Sequence, residues 1–158
     1  MNGGNIIRIT QYTDYELRTL IYLGTNPNGI FPTPQIAEHY GISPNHLMKV
    51  AQQLTKLGYV ESIRGRNGGI RLIRDPRSIN IGQVVREIEP LDLVECFSQS
   101  GQCTIAPSCR LKGILGRALH AFHQELAIYS LEDLLENRDQ LVELLHSSSS
   151  TVEPFSIY

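Results

Sequence analysis

Residues 33–58 read TPQIAEHYGISPNHLMKVAQQLTKLG, and this stretch decides the fold. It contains two segments with apolar residues at helical spacing, and each opens on a hydroxyl residue followed by proline, the signature of a helix start. The segments end at Gly41 and Gly58, which suit the left-handed conformation found after a helix. Because only residues 41–43 separate them, the pattern predicts a helix-turn-helix, whose second helix enters the major groove of DNA.

The second helix is the predicted recognition helix. Its apolar spacing leaves Asn45, His46 and Lys49 on the outside, near the start of the helix. Polar side chains at this end of a recognition helix meet base edges. We therefore expect these residues, with Ser43 at the cap, to contact double-stranded DNA.

A basic hairpin is predicted directly after the recognition helix. Residues 59–63 and 70–74 have the composition of strands, and an RGRNGG turn connects them. Asn67 and the two glycines after it tolerate positive φ, so the turn can be tight and can approach another backbone closely. Arg64 and Arg66 flank the tip, where one arginine can enter a narrow minor groove while the other pairs with phosphate. The hairpin therefore reads as the wing of a winged helix.

Charge divides the chain of 158 residues into two halves. Residues 1–78 carry nine Lys/Arg and five Asp/Glu, whereas residues 79–158 carry five and eleven. A phosphate backbone favours the positive half. No apolar run approaches the roughly 20 residues of a membrane span, and the chain starts without a signal-peptide pattern, so we expect a cytoplasmic protein without membrane contact.

Further helices are predicted on both sides of the winged helix. Thr13 is expected to cap a first helix over residues 13–25, and Asn80 a helix that ends at Pro90. From residue 111 to 129, apolar residues keep one face for about five turns. The apolar face of such a helix needs a partner. We expect it to pack against the same helix of a second chain, and packing within its own chain is the alternative.

The predicted fold is mainly α with a small β hairpin, a winged helix-turn-helix joined to a long dimerisation helix. The winged helix-turn-helix DNA-binding domain covers residues 1–78. A connecting helix and a cysteine loop cover 79–109, the dimerisation helix and C-terminal helices cover 110–146, and a disordered tail covers 147–158.

The cysteines of the chain are Cys96, Cys103 and Cys109. An odd count in a small chain does not fit a secreted disulfide framework, and clustered cysteines in a reducing compartment are metal ligands or redox-active groups. Soft thiolates select zinc, copper or iron–sulfur clusters, and three of them leave a tetrahedral site one ligand short. An iron–sulfur cluster is the main hypothesis, with a zinc site and a thiol–disulfide switch as alternatives.

Catalysis finds no support in the motifs. The chain has neither a nucleophile–base pair at a recognisable spacing nor a P-loop, a dinucleotide fingerprint or a Cys-x-x-Cys pair. We expect that the protein is not an enzyme.

Several strings together resemble the winged-helix iron–sulfur transcription regulators of the IscR/NsrR type. These are RIT at 8–10, TDY at 13–15, GYV at 58–60, RGRNGGIRL at 64–72, IGQVV at 81–85 and the cysteines. The strings VREIEPL at 85–91 and CRLK at 109–112 are most similar to the nitric-oxide-sensitive repressors of that family.

The resemblance implies a homodimer with an iron–sulfur cluster, 4Fe-4S rather than 2Fe-2S, on the three cysteines. Some members place a histidine ligand three residues after the last cysteine, but this chain has Lys112 there, whose ammonium group does not bind iron. The resemblance implies instead that Asp14 of the other subunit is the fourth ligand. Arg18, one turn later, is suited to pair with Asp14 when the carboxylate is released.

The same resemblance implies base-facing positions for Asn45, Met48 and Lys49, and the minor-groove position for Arg64. Met48 cannot form the hydrogen bonds of the glutamate found there in relatives. The implied function is a repressor that binds its operator with an intact cluster and is released by nitric oxide. A regulator of the IscR type that responds to iron–sulfur or redox state, and a cluster-independent regulator, are the alternatives.

Overall fold

The computed structural model describes residues 9–89, 91, 97 and 103–147. Cys96 lies outside this part of the chain, as does the predicted tail except for Ser147, which ends a helix. The helices and strands are α1 (Gln11–Thr25), α2 (Thr33–Tyr40), α3 (Pro44–Lys56), β1 (Val60–Ile63), β2 (Gly69–Leu72), α4 (Ile81–Ile88), α5 (Arg110–Leu126) and α6 (Arg138–Ser147). The prediction of a mainly α fold with a small hairpin is confirmed.

The helix-turn-helix forms where the sequence predicts it. Gly41 adopts φ 62° after α2, and the Ser43 hydroxyl accepts a hydrogen bond from the His46 N–H at the start of α3. Helix α3 buries Leu47, Val50 and Leu54 completely. These residues pack α3 against α1 and α2, so its opposite face is left for a partner.

The predicted caps of α1 and α2 are wrong. Thr10 caps α1, whereas Thr13 is buried and donates its hydroxyl hydrogen bond to Glu89 at 2.6 Å. The same Glu89 carboxylate accepts from the Thr10 N–H at 2.7 Å, which explains why the helix starts earlier than local signals suggest. At α2, Pro32 takes the cap position and Thr33 lies inside the first turn.

The wing is an antiparallel pair whose register runs from Val60 opposite Leu72 to Ile63 opposite Gly69. Phe31 adds a short bridge to Ile70 on the other edge of β2, with hydrogen bonds in both directions at 2.9 Å. A Cβ on Gly69 would lie 2.2 Å from the Phe31 carbonyl oxygen, so this glycine permits the close approach.

In the wing turn the glycine with positive φ is Gly65, at 111°, and not Gly68 or Gly69 as predicted. Gly68, like Gly69, is required because another part of the backbone lies too close for a side chain. A Cβ on Gly68 would lie 2.2 Å from the Ile63 carbonyl oxygen.

Helix α4 connects the winged helix to the C-terminal helices. Asn80 caps it as predicted and accepts a hydrogen bond from the Gln83 N–H at 3.0 Å. A Cβ on Gly82 would lie 2.6 Å from the Ala127 nitrogen, so α4 directly contacts the end of α5. None of the helices in the described ranges is long and apolar enough to span a membrane.

Helix α5 ends at Leu126, before the predicted Tyr129, and buries none of its residues. Its apolar side chains Leu111 and Ile114 are 58% and 50% exposed. Within the part of the chain that the structure describes, these side chains of the predicted apolar face are therefore left uncovered.

Candidate nucleic-acid interface and cluster site

The outer face of α3 carries the side chains predicted to meet DNA. Asn45, Met48 and Lys49 are exposed, with Met48 at 49%. Ser43 is exposed too, although its hydroxyl is engaged in the cap. His46 differs from its neighbours, because its ring is half-buried against aromatic residues of α1.

The wing tip is basic and open. Arg64, Arg66 and Asn67 are exposed. In the same segment, Arg71 pairs with Glu61 at 2.6 Å and Arg77 with Asp75 at 2.6 Å.

Arg74 stacks over the Tyr59 ring at 4.8 Å. The remaining lysine and arginine residues of 43–77 form no ion pair with any residue that the structure describes. These are Lys49, Lys56, Arg64 and Arg66, which we call the unpaired cations. Charges without internal partners are available to phosphate.

A groove of about 570 Å³ separates the recognition helix from the wing. Its walls are Met48, Gln52 and Thr55 from α3, Ser62 and Gly65 from the hairpin, and Thr33 and Pro34 from the start of α2. The groove lies between the element expected in the major groove and the element expected in the minor groove, where a DNA strand would pass.

Gln52 is a candidate contact that the sequence analysis missed. It is exposed and lines the groove beside Met48. Its spacing of seven residues from Asn45 and four from Met48 places it on the same helix face, so the signal was present in the sequence.

Asp14 lies on the first turn of α1 and is held by Arg18. The Arg18 Nη2 and Nε atoms lie 2.9 Å and 3.0 Å from the two carboxylate oxygens, and both side chains are nearly half-exposed. Arg18 thus pairs with Asp14, as its position one helical turn later allows.

Two buried carboxylates lie beneath this turn. Glu89, 5% exposed, binds the start of α1 through Thr10 and Thr13. Glu16 is 2% exposed, and its Oε2 has no hydrogen-bond partner among the described residues. Burial, and secondarily the charge of Glu89, raises the pKa of Glu16 to about 7. The Asp14 turn is thereby joined to the end of α4, directly before the cysteine loop.

Cys103 and Cys109 are half-buried free thiols on either side of a short 3₁₀ turn, Ala106–Ser108. Cys109 precedes α5 as its cap residue without a side-chain capping bond. Cysteine sulfur is a soft ligand, so the donor chemistry of these two residues fits a soft metal centre.

No three His, Cys, Asp or Glu side chains gather into a metal-binding group within the described ranges, and Cys96 lies outside them. The structure therefore does not bring Asp14 together with Cys103 and Cys109 in one chain.

The chain has close relatives among known regulators. The family model Rrf2, described as an iron-dependent transcriptional regulator, matches residues 9–137. The HTH-type transcriptional regulator NsrR of Bacillus licheniformis is 50% identical over 142 residues, which cover 88% of this chain and 99% of the relative. NsrR of Bacillus subtilis is also 50% identical over 142 residues, covering 88% and 97%.

Solved structures show the same fold. T. potens IscR superimposes with a TM-score of 0.68 at 23% identity, covering 88% of this chain and 93% of that one. CymR, the global cysteine regulator of B. subtilis, superimposes with a TM-score of 0.63 at 25% identity, covering 82% and 96%.

Proposed function

This chain belongs to the Rrf2 family of iron-dependent transcriptional regulators, and on that premise we propose that it is a repressor that senses nitric oxide through an iron–sulfur cluster. It is a transcription regulator of the NsrR type, and its relatives are named as regulators rather than enzymes. In the proposal, the cluster-bound form occupies operator DNA and nitrosylation of the cluster releases it. The observation that carries the DNA-binding part is the set of unpaired cations beside an exposed recognition face.

The proposed DNA complex places α3 in the major groove and the wing in the minor groove. Asn45, Met48 and Lys49 face the bases, while Arg64 enters the minor groove and Arg66 and Asn67 follow the backbone. In this arrangement, one strand of the duplex passes through the groove between α3 and the wing.

We propose that α5 pairs with the same helix of a second copy. Its apolar side chains Leu111, Ile114 and Phe122 are exposed in the single chain, and a twofold partner would bury them. Two winged helices would then meet a pseudo-palindromic operator.

The residues proposed to hold the cluster, 4Fe-4S rather than 2Fe-2S, are Cys96, Cys103 and Cys109 of one chain with Asp14 of the other. When bound, the cluster supplies the iron with which nitric oxide reacts. Asp14 is a hard carboxylate among soft thiolates and is therefore the weakest of the four ligands. Arg18 offers the released carboxylate a ready bidentate partner, as its contacts of 2.9 Å and 3.0 Å show for the single chain.

In this proposal, loss of the Asp14 ligand would act on the described end of the cysteine loop, residues 103–109, which directly precedes α5. Because α4 touches both α5 and the winged helix, a change in the loop alters the spacing of the two recognition helices. Operator affinity is lost when this spacing no longer matches the half-sites.

The test is the absorption spectrum of protein isolated without oxygen from iron-replete cells, taken before and after nitric oxide. Operator affinity is measured on the same samples and on iron-stripped protein. We expect visible absorption that nitric oxide bleaches, together with weaker operator binding, and Cys109→Ser should abolish both the colour and the response. Colourless protein that binds its operator equally well with and without iron would overturn the proposal, and stoichiometric zinc would assign the cysteines to a different metal.

A further inference from the structure

His46 belongs to the predicted DNA-contacting set on α3, but its ring packs against aromatic residues of α1. Its ring centroid lies 5.6 Å from that of Tyr12 at an interplanar angle of 78°, an edge-to-face contact. The Tyr15 ring is 6.3 Å away at 36°. Both distances lie in the range in which aromatic rings attract each other.

Tyr12 and Tyr15 are on the first turns of α1 and flank Asp14 in sequence. Because Tyr12, Asp14 and Tyr15 lie within one turn of α1, a shift of this turn moves the carboxylate and both tyrosine rings together. Tyr15 is further held by the Gln11 amide, whose Nε2 donates to the Tyr15 hydroxyl at 2.5 Å. The two tyrosines that contact His46 therefore lie in the same turn as Asp14, the proposed cluster ligand.

On the other side of the contact, His46 belongs to the first turn of the recognition helix. Its backbone N–H donates to the Ser43 hydroxyl at 3.2 Å, so the histidine is held at both its backbone and its ring. Its neighbour Asn45 and the next-turn residue Lys49 are exposed on the DNA-facing side. A movement of the His46 ring therefore acts where the base-facing residues begin.

A second contact connects the same part of α1 to helix α2. The Tyr40 hydroxyl at the end of α2 donates to the Arg18 carbonyl oxygen at 3.0 Å, and Arg18 is the ion-pair partner of Asp14. The Asp14–Arg18 segment of α1 thus contacts both helices of the helix-turn-helix, at α2 through Tyr40 and at α3 through His46.

We propose that His46 is a positioning residue that transmits the state of Asp14 to the recognition helix, and that it is not a reader of bases. This inference rests on the proposed function and adds to it the residue that links the sensing turn to the DNA-reading helix. It also assigns Tyr12 and Tyr15 to the switch, although neither lies on the DNA-facing surface of α3.

The contact itself is tested in iron-stripped protein by a double-mutant cycle of Tyr12→Ala and His46→Ala, measured by urea unfolding. We expect the pair to change the unfolding equilibrium about two- to tenfold beyond the product of the single effects, as ring pairs do. The matched cycle of Tyr12→Ala with Asn45→Ala should show no coupling. A His46 cycle that is additive would overturn the proposal.

The transmission is tested by the ratio of operator dissociation constants of iron-stripped and cluster-bound protein. We expect His46→Ala to reduce this ratio about three- to tenfold, in line with the energy of a ring contact. His46→Phe, which keeps a ring but cannot hydrogen-bond a base, should retain it. Asn45→Ala should weaken both forms alike and leave the ratio unchanged.

Tyr12→Ala provides the same test from the α1 side without altering the recognition helix, and it should reduce the ratio as His46→Ala does. If His46→Ala and His46→Phe weaken both forms equally and the ratio is unchanged, His46 reads bases and the proposal is wrong. If the wild-type protein binds its operator equally well in the cluster-bound and iron-stripped forms, the proposed function is wrong as well. An iron-dependent wild type with an unchanged His46→Ala ratio overturns only the transmission.

Discussion

Arginine residues in the winged helix fall into two groups that sequence alone does not separate. Arg71, Arg74 and Arg77 are occupied by Glu61, by the Tyr59 ring and by Asp75, and Arg77 in turn lowers the pKa of Asp75 to about 2. Arg64 and Arg66 have no such partner among the described residues. The difference arises from the fold, which brings carboxylates to the base of the wing and leaves its tip open.

Arg64→Ala should cost about 1–3 kcal/mol of discrimination between the operator and variants altered at the minor-groove positions. An arginine in a narrow minor groove reads its shape, so the loss should depend on sequence. Binding titrations with a panel of operator variants measure it, and Arg77→Ala, an exposed arginine already paired with Asp75, is the control. A loss that is equal for all variants would make Arg64 a phosphate contact.

Gln52→Ala should weaken operator binding by about 1–3 kcal/mol if its carboxamide meets a base edge from the groove. Gln53→Ala is a control of identical chemistry one position away, where the side chain is half-buried and outside the groove lining. Titration of both variants against the same operator decides the point. Equal affinities for the two variants would remove Gln52 from the interface.

At the scale of the elements, the helix positions and the starts of α3 and α4 could be predicted from local signals, whereas the starts of α1 and α2 could not. Ser43 and Asn80 cap their helices as predicted because a cap and its helix are neighbours in sequence. The start of α1 depends on Glu89, and that of α2 follows the bridge of Phe31 to Ile70. Such partners lie tens of residues away, so no local pattern reveals them.

The junction between α4 and the wing domain yields a prediction with a defined pH dependence. The buried Tyr59 hydroxyl donates to Glu87 at 2.6 Å, and this bond is the main reason why the pKa of Glu87 lies below its usual 4.5. Tyr59→Phe should therefore destabilise the protein by about 1 kcal/mol at pH 7. Tyr129→Phe, at a largely exposed tyrosine outside this junction, is the control.

The sign of the pH effect follows from the lowered pKa. The stabilisation by an ionised Glu87 is present above about pH 4.5 and is lost as the pH falls through the folded-state value. Urea unfolding at pH 7 and pH 3 should show the wild type and Tyr59→Phe converging in acid. A difference that is constant with pH would contradict the assignment.

Helix α5 yields a prediction about assembly. Ile114→Glu places a charge in the exposed apolar face and should convert the proposed dimer to a monomer without unfolding the chain, because Ile114 is not part of the core. Sedimentation measures the mass, and Ile73→Glu, at an equally exposed isoleucine beyond the wing, is the control. A dimer that persists in Ile114→Glu would place the interface elsewhere.

At the scale of the whole molecule, the fold was more predictable than the cluster site. A helix-turn-helix and its wing are contiguous in sequence, so spacing and turn residues suffice for them. The proposed ligand set combines three cysteines of one chain with Asp14 of another. Only the resemblance to known regulators suggested Asp14, and a single chain does not bring it to Cys103 and Cys109.

The unpaired cations set the expected salt dependence of the whole complex. Four per chain in a dimer predict that log K for the operator falls with log[salt] at a slope of about −7. Arg66→Ala should make the slope shallower by about 2, because the proposed dimer loses two charges that follow the phosphate backbone, whereas Arg77→Ala should leave the slope unchanged. A wild-type slope near zero would show that these cations do not meet DNA.

The two-way pairing of Phe31 with Ile70 ties the wing to the segment that enters α2. The wing therefore cannot swing away independently of the helix-turn-helix. Within one protomer, the spacing between the wing and the recognition helix is fixed. A signal that reaches the proposed dimer therefore does not act by moving the wing away from the recognition helix. In the proposed dimer, the signal would act through the recognition helix and through the distance between the two half-sites.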